Sequence, residues 1–188
     1  MSRIPLLKSE DFTPEQLEFF RGSATSKLNL SRLLAQGTTV FLPFMELSKA
    51  IFAKLDIPPR ERELLVLAVI HLERGEYEWA QHVQIAEDMG ISREKIDAIS
   101  QHRFNAAVFN EREHAILAFT RQVVQSVRVD DYVFDALSAF YSSRQIVETV
   151  YTIGCYMTVL RISEVAELEI DAVHGAEVVR QAVAQANI

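Results

Sequence analysis

Along the middle of the chain apolar residues recur three and four positions apart between short polar runs, the period of helices buried along one face. Leu64, Leu65, Leu67, Ala68 and Ile70 go further and make residues 59–74 apolar around most of the circumference, which predicts a central helix. Pro58-Pro59 stops whatever precedes it, and Arg74-Gly75 ends it. The next predicted helix, residues 76–90, carries Trp79, Val83 and Ala86 on one stripe and closes at Met89-Gly90, where glycine suits a left-handed cap. Ser92 then caps a short helix reaching Ser100.

The remaining helices announce themselves by their ends. Thr13-Pro14-Glu15-Gln16 reads as a capping box with proline at the first helical position, following an extended arm over residues 1–12. Residues 29–36 and 38–55 follow as helices separated by Gly37, with Pro43 either kinking the second or marking its start. Asn110-Glu111-Arg112-Glu113 is a second capping box, and Asp130-Asp131 and Ser142-Ser143 open two further helices. In the last of these Ile146, Val147, Val150, Ile153 and Met157 are expected to bury, and an amphipathic stretch over residues 173–184 ends the chain. Alternating strand patterns are almost absent, and no Gly/Ser-rich linker appears. The expectation is an all-α protein, a single helical-bundle domain over residues 1–188. Arg62-Glu63-Leu64-Leu65-Val66-Leu67-Ala68 and Arg112-Glu113-His114-Ala115-Ile116-Leu117-Ala118 share a charged start and apolar spacing, a match too short to establish a repeat.

Composition narrows the function classes. With 188 residues, 49% of them hydrophobic, the chain can bury a sizeable core. A formal net charge of -7 argues against the electropositive surface that phosphates require, so no nucleic-acid partner is expected. Neither a signal peptide nor an uncharged membrane-spanning run is visible, which leaves no membrane partner and a cytoplasmic location as the expectations. Cys155 is the only cysteine, which excludes any disulfide or dithiol couple within the chain.

Four positions apart on one helix, Glu78 and His82 lie on the same face and set a carboxylate beside an imidazole. Such a neighbour favours the protonated ring and fixes its orientation, as general acid or base work near neutral pH requires. The same spacing is also common in ordinary surface pairs. Glu63 strengthens the functional alternative, because it sits among leucines on a helix with little exposed face and is expected to turn toward His82, unless it merely serves its own helix N-terminus. Tyr77 and Trp79 are candidate apolar walls for a small substrate. Glu63, Glu78 and His82 together offer one imidazole and two carboxylates, a weak metal set, and no metal is expected.

Arg62-Glu63-Leu64, then Tyr77-Glu78-Trp79-Ala80-Gln81-His82-Val83-Gln84-Ile85-Ala86 and Gly90-Ile91-Ser92, resemble the carboxymuconolactone decarboxylase and alkylhydroperoxidase D-like superfamily over a core of about residues 55–100. The peroxidase branch of that superfamily has a glutamate, a Cys-x-x-Cys pair and a histidine four residues beyond it. Glu63 and His82 match the glutamate and histidine, but Gly75 and Glu78 stand where the cysteines would be. The dithiol route to peroxide reduction is therefore not expected. The resemblance implies the decarboxylase side of the superfamily instead: a cofactor-free enzyme acting by proton transfer on a small carboxylated lactone or keto acid, with Glu63, Glu78 and His82 catalytic. Arg62, Arg74 and Arg161 are candidate cations for the substrate carboxylate, Arg161 being carried by the last helix. It also implies a homo-oligomer, trimer or hexamer. The alternative is a member that binds small molecules or serves as a scaffold without chemistry.

Overall fold

The computed structural model of the chain describes residues 2–21 and 24–171. The amphipathic stretch expected over residues 173–184 lies outside them. Every regular element among the described residues is helical. The chain divides into two compact units, residues 55–160 and residues 1–54 with 161–188.

In the second of these units the arm of residues 2–8 is extended and leads into a 3-10 turn at Ser9–Asp11. It is held by backbone and side-chain contacts: Arg3 N donates to Ala166 O at 2.7 Å, and the Arg32 side chain donates to Leu7 O at 2.7 Å. Helix α1, Pro14–Phe20, begins at the expected capping box, with Thr13 and Gln16 exchanging hydrogen bonds. Gln16 is buried and spends its remaining amide hydrogens on Ala35 O at 2.7 Å. A second 3-10 turn, Ala24–Lys27, precedes α2, Asn29–Leu34, and α3, Thr38–Ala53. Pro43 lies inside α3 and does not mark its start. Phe12, Phe20, Ala35 and Phe41 form the small core here, the Phe12 and Phe20 rings 5.0 Å apart.

The unit of residues 55–160 is built around α4, Pro59–Glu73, whose residues from Arg62 to Ile70 are all buried. An uninterrupted buried run needs neighbours on every side, and α4 packs on α5, Glu76–Asp88, α6, Arg93–Ser100, and α7, Glu111–Ser126. Helix α8, Asp131–Ser138, packs on α7, and α9, Ser143–Ala166, contributes Ile153, Tyr156 and Leu160 to the core. Asn110 and Glu113 form the expected capping box of α7. Arg112 Nε donates to Glu61 Oε1 and the Tyr141 hydroxyl donates to Glu61 Oε2, both at 2.7 Å, while the Arg112 guanidinium lies 4.3 Å from the Tyr141 ring centre. That clasp ties the start of α4 to α7 and to the turn before α9.

One expectation needs correcting. Val147 and Val150 are 55% and 45% exposed, because the buried face of α9 runs through Ile146, Thr149, Ile153, Tyr156 and Leu160. Threonine hydroxyls donate back to the helix carbonyls four residues earlier, Thr149 to Gln145 O at 2.8 Å, so they sit in the core without an unpaired donor. Gly90 takes the expected left-handed cap after α5, at φ 76°, and after α4 that conformation falls to Arg74, at φ 63°. Gly75 is needed for another reason: a Cβ there would stand 2.0 Å from Leu160 Cδ2 and 3.0 Å from Glu78 Oε2.

Candidate active site

The tight α4–α5 turn lays the two helices side by side, and this brings Glu63 of α4 to His82 of α5. The His82 Nδ1 to Glu63 Oε1 distance is 2.6 Å. Glu63 has no exposed surface and His82 is 7% exposed, so the pair is shielded from the solvent that would weaken it. Glu63 lies beyond the first turn of α4, whose acidic residue is Glu61, and therefore does not serve its own helix end. The Nδ1 contact is made by Glu63 of α4. With a carboxylate accepting, the ring carries its proton on Nδ1 and presents Nε2 as the nitrogen that exchanges protons.

Glu78 is also buried, 3% exposed, with one oxygen close against the Gly75 backbone. Tyr77 is buried as well, whereas Trp79 is half-buried and its ring faces His71 at 6.2 Å between centres. The aromatic wall at His82 is instead Tyr156 of α9, edge-on at 5.2 Å and 78°. Burial first, then the negative charge of Glu63, pushes the Tyr156 phenol well above its ordinary range, with Arg62 opposing. Tyr156 thus stays a neutral hydroxyl among charged groups. Arg62 is itself buried, 5% exposed, and Cys155 is buried. Arg161 is exposed and falls in the other unit of the chain.

Sequence reasoning missed Tyr156. The signal available was its place three and seven residues beyond Ile153 and Thr149, on the face of α9 that buries: a tyrosine there carries a hydroxyl into the core.

Among the described residues no group donates a hydrogen bond to Glu63 Oε2, although that atom is closed off from solvent. No group of three or more histidine, cysteine or acidic side chains among the described residues is arranged to hold a metal ion. No described helix is long and apolar enough to cross a membrane.

The fold and this cluster define an all-helical protein built around a buried carboxylate–imidazole pair. Residues 39–121 match the carboxymuconolactone decarboxylase family. A peroxidase-related protein with the alkylhydroperoxidase AhpD core from Ralstonia eutropha JMP134 superposes with a TM-score of 0.78 at 18% identity, over 91% of this chain and 93% of that one. A peroxidase-related protein from Silicibacter sp. TM1040 does so with a TM-score of 0.78 at 13% identity, over 92% and 93%. A cysteine-to-alanine variant of the debrominase Bmp8, in complex with 2,3,4-tribromopyrrole, gives a TM-score of 0.76 at 21% identity, over 96% and 99%. At these identities the likeness is one of fold. No curated protein matches the chain by sequence.

The glycine at position 75 bears on the peroxidase branch. Leu160 fills the space that a side chain at 75 would occupy, so a thiol there would require Leu160 to shift.

Proposed function

We propose that the chain is a cofactor-free enzyme of the decarboxylase type, acting by proton transfer on a small carboxylated lactone or keto acid. The observation that supports this reading most is the 2.6 Å contact between the buried Glu63 and His82. Loss of carbon dioxide breaks a carbon–carbon bond and leaves its electron pair in the neighbouring carbonyl as an enolate. His82, protonated and held through Nδ1 by Glu63, delivers the proton from Nε2 to the enolate carbon. A positioned acid of this kind is worth roughly 10²–10⁴-fold in rate. The Tyr156 hydroxyl, kept neutral, is suited to stabilise the enolate oxygen by donating to it.

Arg62 is assigned the substrate carboxylate in this reading, because its charge bears on the same phenol as those of Glu63 and Glu78. Arg161 is the second candidate cation. The test is carbon dioxide release from a panel of carboxylated lactones and β-keto acids, with wild type beside His82→Gln, Glu63→Gln, Arg62→Gln and Arg161→Gln. Turnover by wild type that both dyad substitutions abolish supports the reading. Turnover unchanged in His82→Gln overturns it, and so does a lack of turnover across the panel, which leaves a binding or scaffold role.

A further inference from the structure

Glu63 carries two oxygens with opposite fates. Oε1 accepts from His82 Nδ1, whereas no group among the described residues donates to Oε2, with the whole residue at 0% exposure. Leaving a charged acceptor buried and unsatisfied is among the more costly arrangements in a protein interior, and a fold keeps it where something else supplies the donor. Nearby hydroxyls do not. Tyr156 lies close enough for the charge of Glu63 to act on it, yet its hydroxyl does not reach Oε2. The two carboxylates of Glu63 and Glu78 also make a second lone pair directed at this position unfavourable.

We propose that the ligand of this site carries its own hydrogen-bond donor, a ring N–H or an enol or hydroxyl O–H, and gives it to Glu63 Oε2. The inference rests on the reading of this cluster as a small-molecule site, and it narrows the ligand class. Lactams, enolised keto acids and hydroxy acids satisfy it; a simple lactone, with only acceptors in its ring, does not. A site built to receive a donor discriminates strongly against an isostere without one, because the analogue leaves the buried acceptor unpaired and sets a lone pair against it.

2-Oxopyrrolidine-3-carboxylate and its lactone counterpart, 2-oxotetrahydrofuran-3-carboxylate, isolate the effect, since they share ring size and a carboxylate on the carbon next to the carbonyl and differ only in N–H against ring oxygen. Binding of each to the full-length protein is measured by calorimetry, with carbon dioxide release followed on the same samples. The lactam acid is expected to bind at least about 10-fold more tightly, the span of one hydrogen bond to a charged group. In Glu63→Gln the amide has a single acceptor, which the His82 Nδ1–H retains, so its NH₂ stands in the place of Oε2 and the preference shifts to the lactone. Equal binding, tighter lactone binding, or no binding by either acid up to its solubility overturns the inference. The wild-type pair alone decides it if the variant fails to fold. Preference without turnover sinks the decarboxylase reading and leaves this inference standing; turnover without preference does the reverse.

Discussion

Helices α4 and α7 open with the same pattern, Arg-Glu followed by an apolar run, and each buries its glutamate, yet the two carboxylates are treated differently. Glu113 receives Lys95 Nζ on both oxygens, at 2.5 and 2.6 Å, and its own helix cap at Asn110 N on Oε2 at 3.0 Å. Glu63 receives one imidazole on one oxygen. The partner differs in kind as well: lysine is a fixed cation at neutral pH, whereas histidine takes up and releases a proton there. A glutamate saturated by a fixed charge holds a structure together. On the proposed reading, a glutamate half-satisfied by an imidazole is arranged for proton transfer and for a ligand.

The contrast is sharpest in two substitutions, one at each glutamate. Glu63→Gln is expected to lower turnover roughly 10²–10⁴-fold while leaving thermal stability within about 1 kcal/mol, since it removes a buried charge whose second oxygen has no donor. Initial rates and thermal melts of the same preparation check both halves. Glu113→Ala is expected to do the opposite, costing roughly 2–3 kcal/mol through a stranded Lys95 and a lost cap, with turnover per folded molecule unchanged. If Glu113→Ala removed turnover at constant fold, the distinction between the two glutamates would collapse.

Two glycines extend the comparison from charge to space. Gly75→Ala should cost roughly 1–3 kcal/mol, because its Cβ would meet Leu160 Cδ2 at 2.0 Å, and Leu160→Ala in the same chain should recover part of the loss. Gly154, inside α9 with nothing within 4 Å of an added Cβ, should accept alanine with a gain of roughly 0.5–1 kcal/mol from helix propensity. Denaturant midpoints distinguish the two.

The smallest effect expected is on pH dependence at the far end of α4. His71 Nε2 lies 3.3 Å from His102 Nδ1, and burial, followed by the charge of His102, lowers the His71 pKa from its ordinary 6.5. The unfolded chain then binds more protons than the folded one below that value, so this contribution to stability is intact above pH 6.5 and falls away as pH drops toward the folded-state value. His71→Phe should flatten the acid side of the stability profile, seen as a smaller fall in melting temperature between neutral and mildly acidic pH. An unchanged slope would remove His71 from the account.

Much of the fold was legible because helix ends are written in local chemistry. The boxes at Thr13 and Asn110, the Ser92 cap and the left-handed Gly90 all rest on residues within a turn of one another. The long buried run of α4 was legible because no amphipathic helix tolerates so many leucines in sequence. The division into two units was not, since it arises from contacts far apart in the chain and no linker marks it. At the candidate site the four-residue spacing of Glu78 and His82 was visible in sequence, and the expectation that Glu63 turns toward His82 rested on its place among leucines, but the 2.6 Å contact itself depends on how α5 packs on α4. Tyr156 was hidden for the same reason, lying 74 positions beyond His82 on a helix whose buried face depends on packing. Val147 and Val150 misled because apolar residues are not confined to the interior.

On the proposed reading Glu63 and His82 move a proton to and from carbon next to a carbonyl. By microscopic reversibility the same dyad then exchanges the hydrogen beside the carbonyl of a bound product-like compound with solvent. Deuterium wash-in at that carbon of levulinate, followed by proton NMR in D₂O, reads this directly in wild type, Glu63→Gln and Glu113→Gln. The account expects enzyme-dependent exchange in wild type and Glu113→Gln that falls to background in Glu63→Gln; exchange equal in all three, or at background in wild type, would contradict it.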